Sequence, residues 1–325
     1  MGVVNAYSML TAIEQVKRSG NEDQRRIIEE LAKTNEILLD APMDEANDRV
    51  VNTGLVRTYI PTGNSHRVYN QGVGNVATQT KTVHDYMCEI AAFSDIDCSE
   101  ADAAANRDQY RMDEAAGIIQ GLGQDQANDL FYGDHDADPS TCTGLISRRK
   151  VLAEGKCIDM GGTNDGKLSS IVLVKWSRQH TKLIYPKGAS GCGVIHEDRG
   201  KQKVDDGNGK FFMAYEDYFN AKYGLACKTE KSIIRLANID IDTTSGDDIL
   251  KAIIKAVPHF IQGDGNICAY ANADVYSLID LAIAEKSNVM FQPGTPYGEN
   301  PPMRFRNITF RQADALLNTE SRVTQ

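Results

Sequence analysis

The stretch from Ser99 to Tyr132 constrains what this chain can fold into more than any other. Ser99 suits a helix N-cap, because its hydroxyl can accept from an otherwise unpaired backbone N–H, and Asp102 three residues on completes a weak capping box near the positive end of the helix dipole. Ala101, Ala103, Ala104 and Ala105 follow, the residue type that loses least on entering a helix. Tyr110, Ile118, Ile119, Leu122 and Leu130 then recur at spacings near three and four, while Asp108, Asp113, Glu114 and Asp125 fill other faces and Gly133 closes the run. A single helix over 99–132 spans roughly 50 Å at about 1.5 Å per residue. The expected radius of gyration of a compact chain of this size is roughly 20 Å. One helix therefore crosses nearly the whole molecule, which suits an elongated, plate-like subunit better than a globular enzyme. Gly117, Gly121 and Gly123 fall inside it, each costing about 1 kcal/mol relative to Ala. They mark a bend, a close approach of a neighbour, or a break into two helices.

The second constraining feature precedes the helix. Residues Leu55 to Gln71 are extended in character, mixing β-branched and aromatic residues with polar ones, and Gly72, Gly74 and Asn75 supply turn chemistry. The return limb, Val76 to Val83, sets Thr78, Thr80 and Thr82 on one face and Gln79 and Lys81 on the other. An isolated two-stranded hairpin is marginal in water, and at about 3.4 Å per residue this one projects tens of ångströms. Such an arm lies either on a sister subunit or along the edge of its own domain. Arg57, Arg67 and Lys81 are its candidate partners for an acidic surface.

Elsewhere the pattern is ordinary. Residues 1–42 read as two short amphipathic helices separated at Ser19–Asn21 and ended by Pro42. His84 to Phe93 reads as a half-buried strand or connector, and Ser169 to Trp176 as a buried strand followed by a second from Thr181. Residues 198–209 read as a charged loop, and Phe211–Phe219 with Tyr223–Asp240 as paired strands. Ser245 opens a capped helix that Pro258 interrupts, Ile267–Tyr270 is a strand, Asn272 caps a helix through Ala284, and Met303–Phe310 alternates like a strand.

Chemistry is harder to find. The six histidines share no metal-ligand spacing, and neither HExxH nor GxSxG occurs. Asp134, Asp136 and Asp138 imitate the first ligands of a calcium loop, but Pro139 stands where that loop needs Gly and Leu145 where it needs Glu. No catalytic residue, cofactor or metal is expected. The formal net charge of −10, with no dense basic block, excludes sequence-independent gripping of nucleic acid as the main task. The seven scattered cysteines read as free thiols from a reducing compartment, and no apolar run approaches the roughly 20 residues of a membrane span.

Four stretches resemble the major capsid proteins of tailed bacteriophages with the Hong Kong 97 type fold, in particular the epsilon-fifteen type of short-tailed phages. Ile60 to Val73 is similar to that group's extended loop, with His66 where Trp is common; residues 99–132 resemble the spine helix; Ser169 to Pro186 with Gly188 resembles the first axial-domain strand and its turn; Phe305 to Val323, including Glu320, resembles the final peripheral strand and tail. The resemblance implies an α+β fold with an N-terminal arm (1–51), an extended β-hairpin loop (52–84), a peripheral domain (85–162 and 291–325) holding the spine helix 99–132, and an axial domain (163–290). It further implies self-assembly through pentamers and hexamers into an icosahedral shell around double-stranded DNA, built in the host cytoplasm with no membrane involved. A separate scaffolding protein, a portal and a decoration protein are the expected partners. In that setting Gly117, Gly121 and Gly123 are the candidate bend of the spine helix. An encapsulin-type compartment and a soluble enzyme with an inserted hairpin are the alternatives.

Overall fold

The computed structural model describes residues 35–59, 61, 66–104, 106–189, 191–285 and 304–324. The first of the two expected N-terminal helices, most of the second, and residues 286–303 lie outside these. The described residues form one short N-terminal turn of helix, α1 (Ile37–Asp40), a 12-stranded sheet and four further helices.

Strand β5 (Leu168–Trp176) organises the interior. All nine of its residues are buried, and its period-two alternation feeds two cores at once. Val172, Val174 and Trp176 point into one core; Ile171 and Leu173 point into the other. Each fully buried side chain of this kind contributes about 1.5–3 kcal/mol. Antiparallel partners on either side, β9 (Ile233–Asp240) and β10 (Asn266–Ala271), repeat the division: Cys268 and Tyr270 face the first core, Ala269 and Ala271 the second.

The second core is roofed by α4 (Gly246–Ala256) and α5 (Ala273–Glu285). Ser245 caps α4, its hydroxyl accepting from the Asp247 amide, and Ile249, Leu250, Ile253 and Ala256 form the buried stripe. Asn272 caps α5 through Asp274 N–H. Gly246 has no room for a Cβ against Leu278 and Ala282, so the two helices cross at a glycine.

The first core is roofed by the long helix, which is not continuous. Strand β3 (Gln79–Asp97) runs straight into α2 (Cys98–Ala103), and a separate α3 (Arg107–Tyr132) follows. Asp97, not Ser99, caps the first piece, accepting from Ser99 N–H at 2.7 Å. Ala104 is extended (φ −68°, ψ 150°), and Asn106 caps α3 by accepting from Gln109 N–H at 3.3 Å. Two Asx caps nine residues apart thus outweigh the alanine run between them. The break falls before the three glycines, and α3 passes through them unbroken for 26 residues, roughly 39 Å. Ala115, Ile119, Leu122, Leu130 and Phe131 bury against Phe219, Ala221, Tyr223 and Leu225 of β8 (Phe211–Cys227).

Three expectations are corrected by this sheet. Residues 198–209 are a loop only at 206–209: β7 (Ile195–Asp205) pairs with β8, with a register shift between Asp198 and Gly200. Phe211–Phe219 does not pair with Tyr223–Asp240. Instead β8 is one 17-residue strand lying between β7 and β3, while β9 pairs with β5 and with β4 (Cys157–Asp159). Past the undescribed residues, Arg304–Phe305 (β11) and Ile308–Gln312 (β12) form a tight hairpin through Arg306 and Asn307, both at positive φ, rather than one alternating strand. The remaining strands, β1 (Met43–Glu45) and β6 (Thr181–Tyr185), pair in parallel, and β2 (Val51–Tyr59) pairs with the start of β3.

Candidate assembly surfaces

The ribbon formed by β2 and β3 is the first surface. Its register runs from Val51↔Tyr86 to Tyr59↔Gln79, with a bulge between Arg57 and Tyr59. One face carries Thr53, Leu55, Arg57, Thr80, Thr82 and His84, all exposed; the other carries Asn52, Gly54, Val56, Lys81, Val83 and Asp85. Arg57 and Lys81 therefore point to opposite sides, and Arg67 lies beyond the paired region; all three are exposed, and none has an ion-pair partner among the described residues. The pairing of the return limb begins at Gln79, so Val76 to Thr78 are not strand. Leu55 is 72% exposed and Tyr69 is 96% exposed, with Tyr59, Val68, Val73 and Val76 exposed beside them. From Arg49 to His84 the chain contains no Asp or Glu. The ribbon is thus apolar and cationic on a chain of net negative charge.

The root of the ribbon is firmly held. Asp85 and Asn52, opposite each other, are buried. Arg148 donates to Asp85 Oδ1 at 2.9 Å and to the Leu225 carbonyl at 2.8 Å. Burial nevertheless pushes the Asp85 carboxyl above its ordinary pKa, against the pull of Arg148. Tyr86 stacks on His135 with ring centroids 3.8 Å apart. The acidic loop after α3 consequently acts as a brace: Asp134 pairs with Lys150 and Asp138 accepts from Ser140. Among the described residues, no group of three or more His, Cys, Asp or Glu is placed to hold a metal ion, and no helix is long and apolar enough to cross a membrane.

The second surface is α3 itself. Gly117 and Gly121 face solvent with open space where a Cβ would stand, while Gly123 is buried. Asp108, Asp113, Glu114 and Asp125 are exposed along the helix. Its N-terminal half rests on the β7–β8 hairpin through charges. Arg111 donates to Asp217 at 2.8 Å and to Asp198 at 2.8 Å, and His196 Nε2–H donates to Asp217 at 2.8 Å while its ring stacks on Phe219. Burial raises the Asp217 pKa, but the hydrogen bonds from His196 and Arg111 outweigh it and hold the carboxyl below its ordinary value. Sequence reasoning missed this cluster. Its one local signal was an acid at 217 on a strand face otherwise lined by Tyr215, Phe219, Ala221 and Tyr223.

The family model for the major capsid protein GP7 matches residues 19–324. A chain from the structure of bacteriophage Epsilon15 is 28% identical and superposes with a TM-score of 0.65, covering 100% of both chains. A chain of the bacteriophage JBD30 capsid, 9% identical, covers 87% of this chain and 91% of its own at a TM-score of 0.52. A chain of the holo-SrpI encapsulin complex from Synechococcus elongatus PCC 7942 covers 62% of this chain and 85% of its own, at 12% identity and a TM-score of 0.42. No curated protein matches the chain. The likenesses to the Epsilon15 and JBD30 chains give the fold as the Hong Kong 97 type. Since the family match runs through the ribbon, the long helix, both cores and the C-terminal segment alike, the chain belongs to the major capsid protein GP7 family.

Proposed function

We propose that copies of this capsid protein join through rings of five and six into an icosahedral shell that encloses phage double-stranded DNA. The observation that carries this reading is the ribbon. A subunit working alone gains nothing from exposing Leu55, Tyr59, Val68 and Tyr69 on a projecting arm, whereas contiguous exposed apolar surface marks a protein interface. In the shell the ribbon docks on an adjacent subunit, and Arg57, Arg67 and Lys81 meet acidic surface there. The outward acids of α3 offer one such surface of suitable charge. A stable interface buries on the order of 1,600 Å², and many modest contacts per subunit make a closed shell durable through multivalency.

The function is mechanical in this reading. The divided units expected from the sequence serve it as arm, loop, peripheral domain and axial domain, with α3 able to bend at Gly117, Gly121 and Gly123 between precursor and mature shells. A separate scaffolding protein directs closure, a portal and a decoration protein complete the particle, and assembly takes place in the host cytoplasm. Free thiols at all seven cysteines suit that reducing compartment.

Negative-stain electron microscopy of the recombinant chain, co-expressed with the candidate scaffolding protein, tests the proposal. Closed shells or rings of five and six are expected. Uniform monomers with the scaffold present would overturn it.

A further inference from the structure

The turn that joins β7 to β8, Asp206 to Lys210, is exposed at every residue. It holds the chain's only Asn–Gly step, Asn208–Gly209. Gly207 and Gly209 both sit at positive φ, 79° and 76°, a conformation that suits glycine. Two acids organise the backbone amides of the turn. Asp205 Oδ1 accepts from Gly207 N–H at 2.9 Å, and Asp206 Oδ1 accepts from Asn208 N–H at 2.8 Å and from Lys210 N–H at 3.1 Å. Asp206 N–H donates in turn to the Lys210 carbonyl at 2.9 Å. Of these five amides, only the Gly209 N–H has no acceptor among the described residues. A Cβ at Gly209 would meet nothing within 4 Å, so no neighbour crowds it. The Asn208 carboxamide is loosely held, by one long contact of 3.5 Å from Nδ2 to the Asp206 carbonyl.

From this geometry we propose that Asn208 is a self-modifying site, where the Gly209 amide nitrogen closes on the Asn208 side chain and the folded protein converts this asparagine to aspartate and isoaspartate. The proposal does not rest on shell assembly. Its co-reactant is water.

The step is a cyclisation followed by a hydrolysis. Solvent hydroxide takes the proton of the Gly209 N–H, which no acceptor in the protein holds. The nitrogen attacks Cγ of Asn208, the new C–N bond forms, the bond from Cγ to Nδ2 breaks, and Nδ2 leaves as ammonia after taking a proton from water. Joining two groups of adjacent residues is intramolecular and so needs no encounter, only an unhindered nitrogen. Glycine supplies that, since it carries no side chain to block the approach. Water then adds to either carbonyl of the five-membered imide. Opening on the side-chain side gives aspartate at position 208, and opening on the main-chain side gives isoaspartate. One water is consumed and one ammonia released in all, with no change of oxidation state.

Conversion alters the tip of the hairpin. Before it, Asp205 and Asp206 are balanced by Lys203 and Lys210; afterwards the tip carries one more negative charge. Isoaspartate also lengthens the main chain of the turn by one methylene. Phe211 and Met213 lie exposed beside it, so an apolar surface gains a neighbouring charge as the chain ages.

Peptide mapping of the folded, full-length chain, held at pH 8 and sampled over days, tests this. The expected result is a peptide spanning 204–210 that gains the mass difference between NH2 and OH and splits into two products, one of them methylated by protein isoaspartate methyltransferase. It should convert ahead of the peptides holding Asn70 and Asn75, which are also exposed but precede Gln71 and Val76. Lowering the pH to 7 should slow it, because less of the Gly209 nitrogen is deprotonated. Gly209→Ala should slow it strongly by crowding that nitrogen. If Gly209→Ala disturbs the turn, the unmutated chain still decides. Conversion at position 208 in guanidinium but not in the folded chain would overturn the proposal. So would conversion no faster than at Asn70 and Asn75, or aspartate formed without isoaspartate.

Discussion

Arg235 of β9 donates from Nη2 to Glu320 Oε2 at 2.9 Å, with the two side chains only 5% and 6% exposed. Tyr132, the last residue of α3, donates to Glu320 Oε1 at 2.6 Å, and Ser170 of β5 donates to Oε2. Tyr132 also accepts from the Leu317 amide. One carboxylate in the C-terminal segment thus joins the end of the long helix to the strand that divides the two cores.

Removing that carboxylate should be costly. Losing one partner of a buried pair leaves the other charge uncompensated, at about 3–5 kcal/mol. Glu320→Ala should lower the denaturant midpoint of the dissociated subunit accordingly, and Glu320→Gln, which keeps part of the hydrogen bonding, by less. Adding Arg235→Met to Glu320→Gln should recover part of the loss, since no guanidinium is then stranded. A Glu320→Ala midpoint within error of the parent would refute the staple.

Glu36, at the head of α1, gives a pH-dependent prediction. Burial raises its pKa; Arg311 opposes the rise, and Asp40 and Asp314 add to it. The folded protein therefore holds the Glu36 proton more tightly than the unfolded chain. Its contribution is fully favourable below the unfolded carboxyl value of about 4.3, and is lost as pH rises through the higher folded value. Glu36→Gln should raise the melting temperature at pH 7 and lose that advantage near pH 4. Asp217 has the opposite sign: its contribution is present above the unfolded value and is lost as pH falls through the depressed folded one. Melting curves of Glu36→Gln and the parent across pH 4 to 8 check the first claim.

What was legible in the sequence was local. Alternation exposed β5, and the caps Ser245 and Asn272 located α4 and α5 because each signal lies within a few residues of its effect. The long helix was legible in extent but not in its break, since an alanine run and two Asx caps make opposing local statements and only the turn from β3 into α2 decides between them. Strand β7 was invisible for another reason. Glu197, Asp198, Arg199, Lys201 and Lys203 lie on a hairpin wet on both sides, so no apolar alternation marks it and its strand character comes from pairing with β8. The Arg111–Asp217–His196 cluster and the Arg235–Glu320 staple join residues 106 and 85 positions apart, a distance over which no pattern in the chain speaks.

The ribbon should separate folding from assembly. Arg57, Arg67 and Lys81 are exposed and unpaired among the described residues, so replacing all three by Glu should shift subunit stability by no more than about 0.5 kcal/mol per site. Assembly should fail, because the reversed charges repel the acidic surface the ribbon is proposed to meet. Sedimentation velocity of the variant in the presence of scaffolding protein checks this; shells formed at the parental yield would remove the three cations from the interface.

The glycines of α3 separate stability from motion. At Gly117 and Gly121 a Cβ meets nothing within 4 Å, so Gly→Ala removes a helix penalty of about 1 kcal/mol at each without a clash. At Gly144, where a Cβ would stand 2.7 Å from the Phe131 carbonyl oxygen, the same change should destabilise. The paired Gly117→Ala and Gly121→Ala variant should therefore unfold at higher denaturant than the parent, and Gly144→Ala at lower. If the two exposed glycines serve as the bend of the helix, the stabilised variant should still form precursor shells but convert to mature shells more slowly, as followed by cryo-electron microscopy over time. Conversion at the parental rate by a measurably more stable α3 would leave these glycines no role in bending.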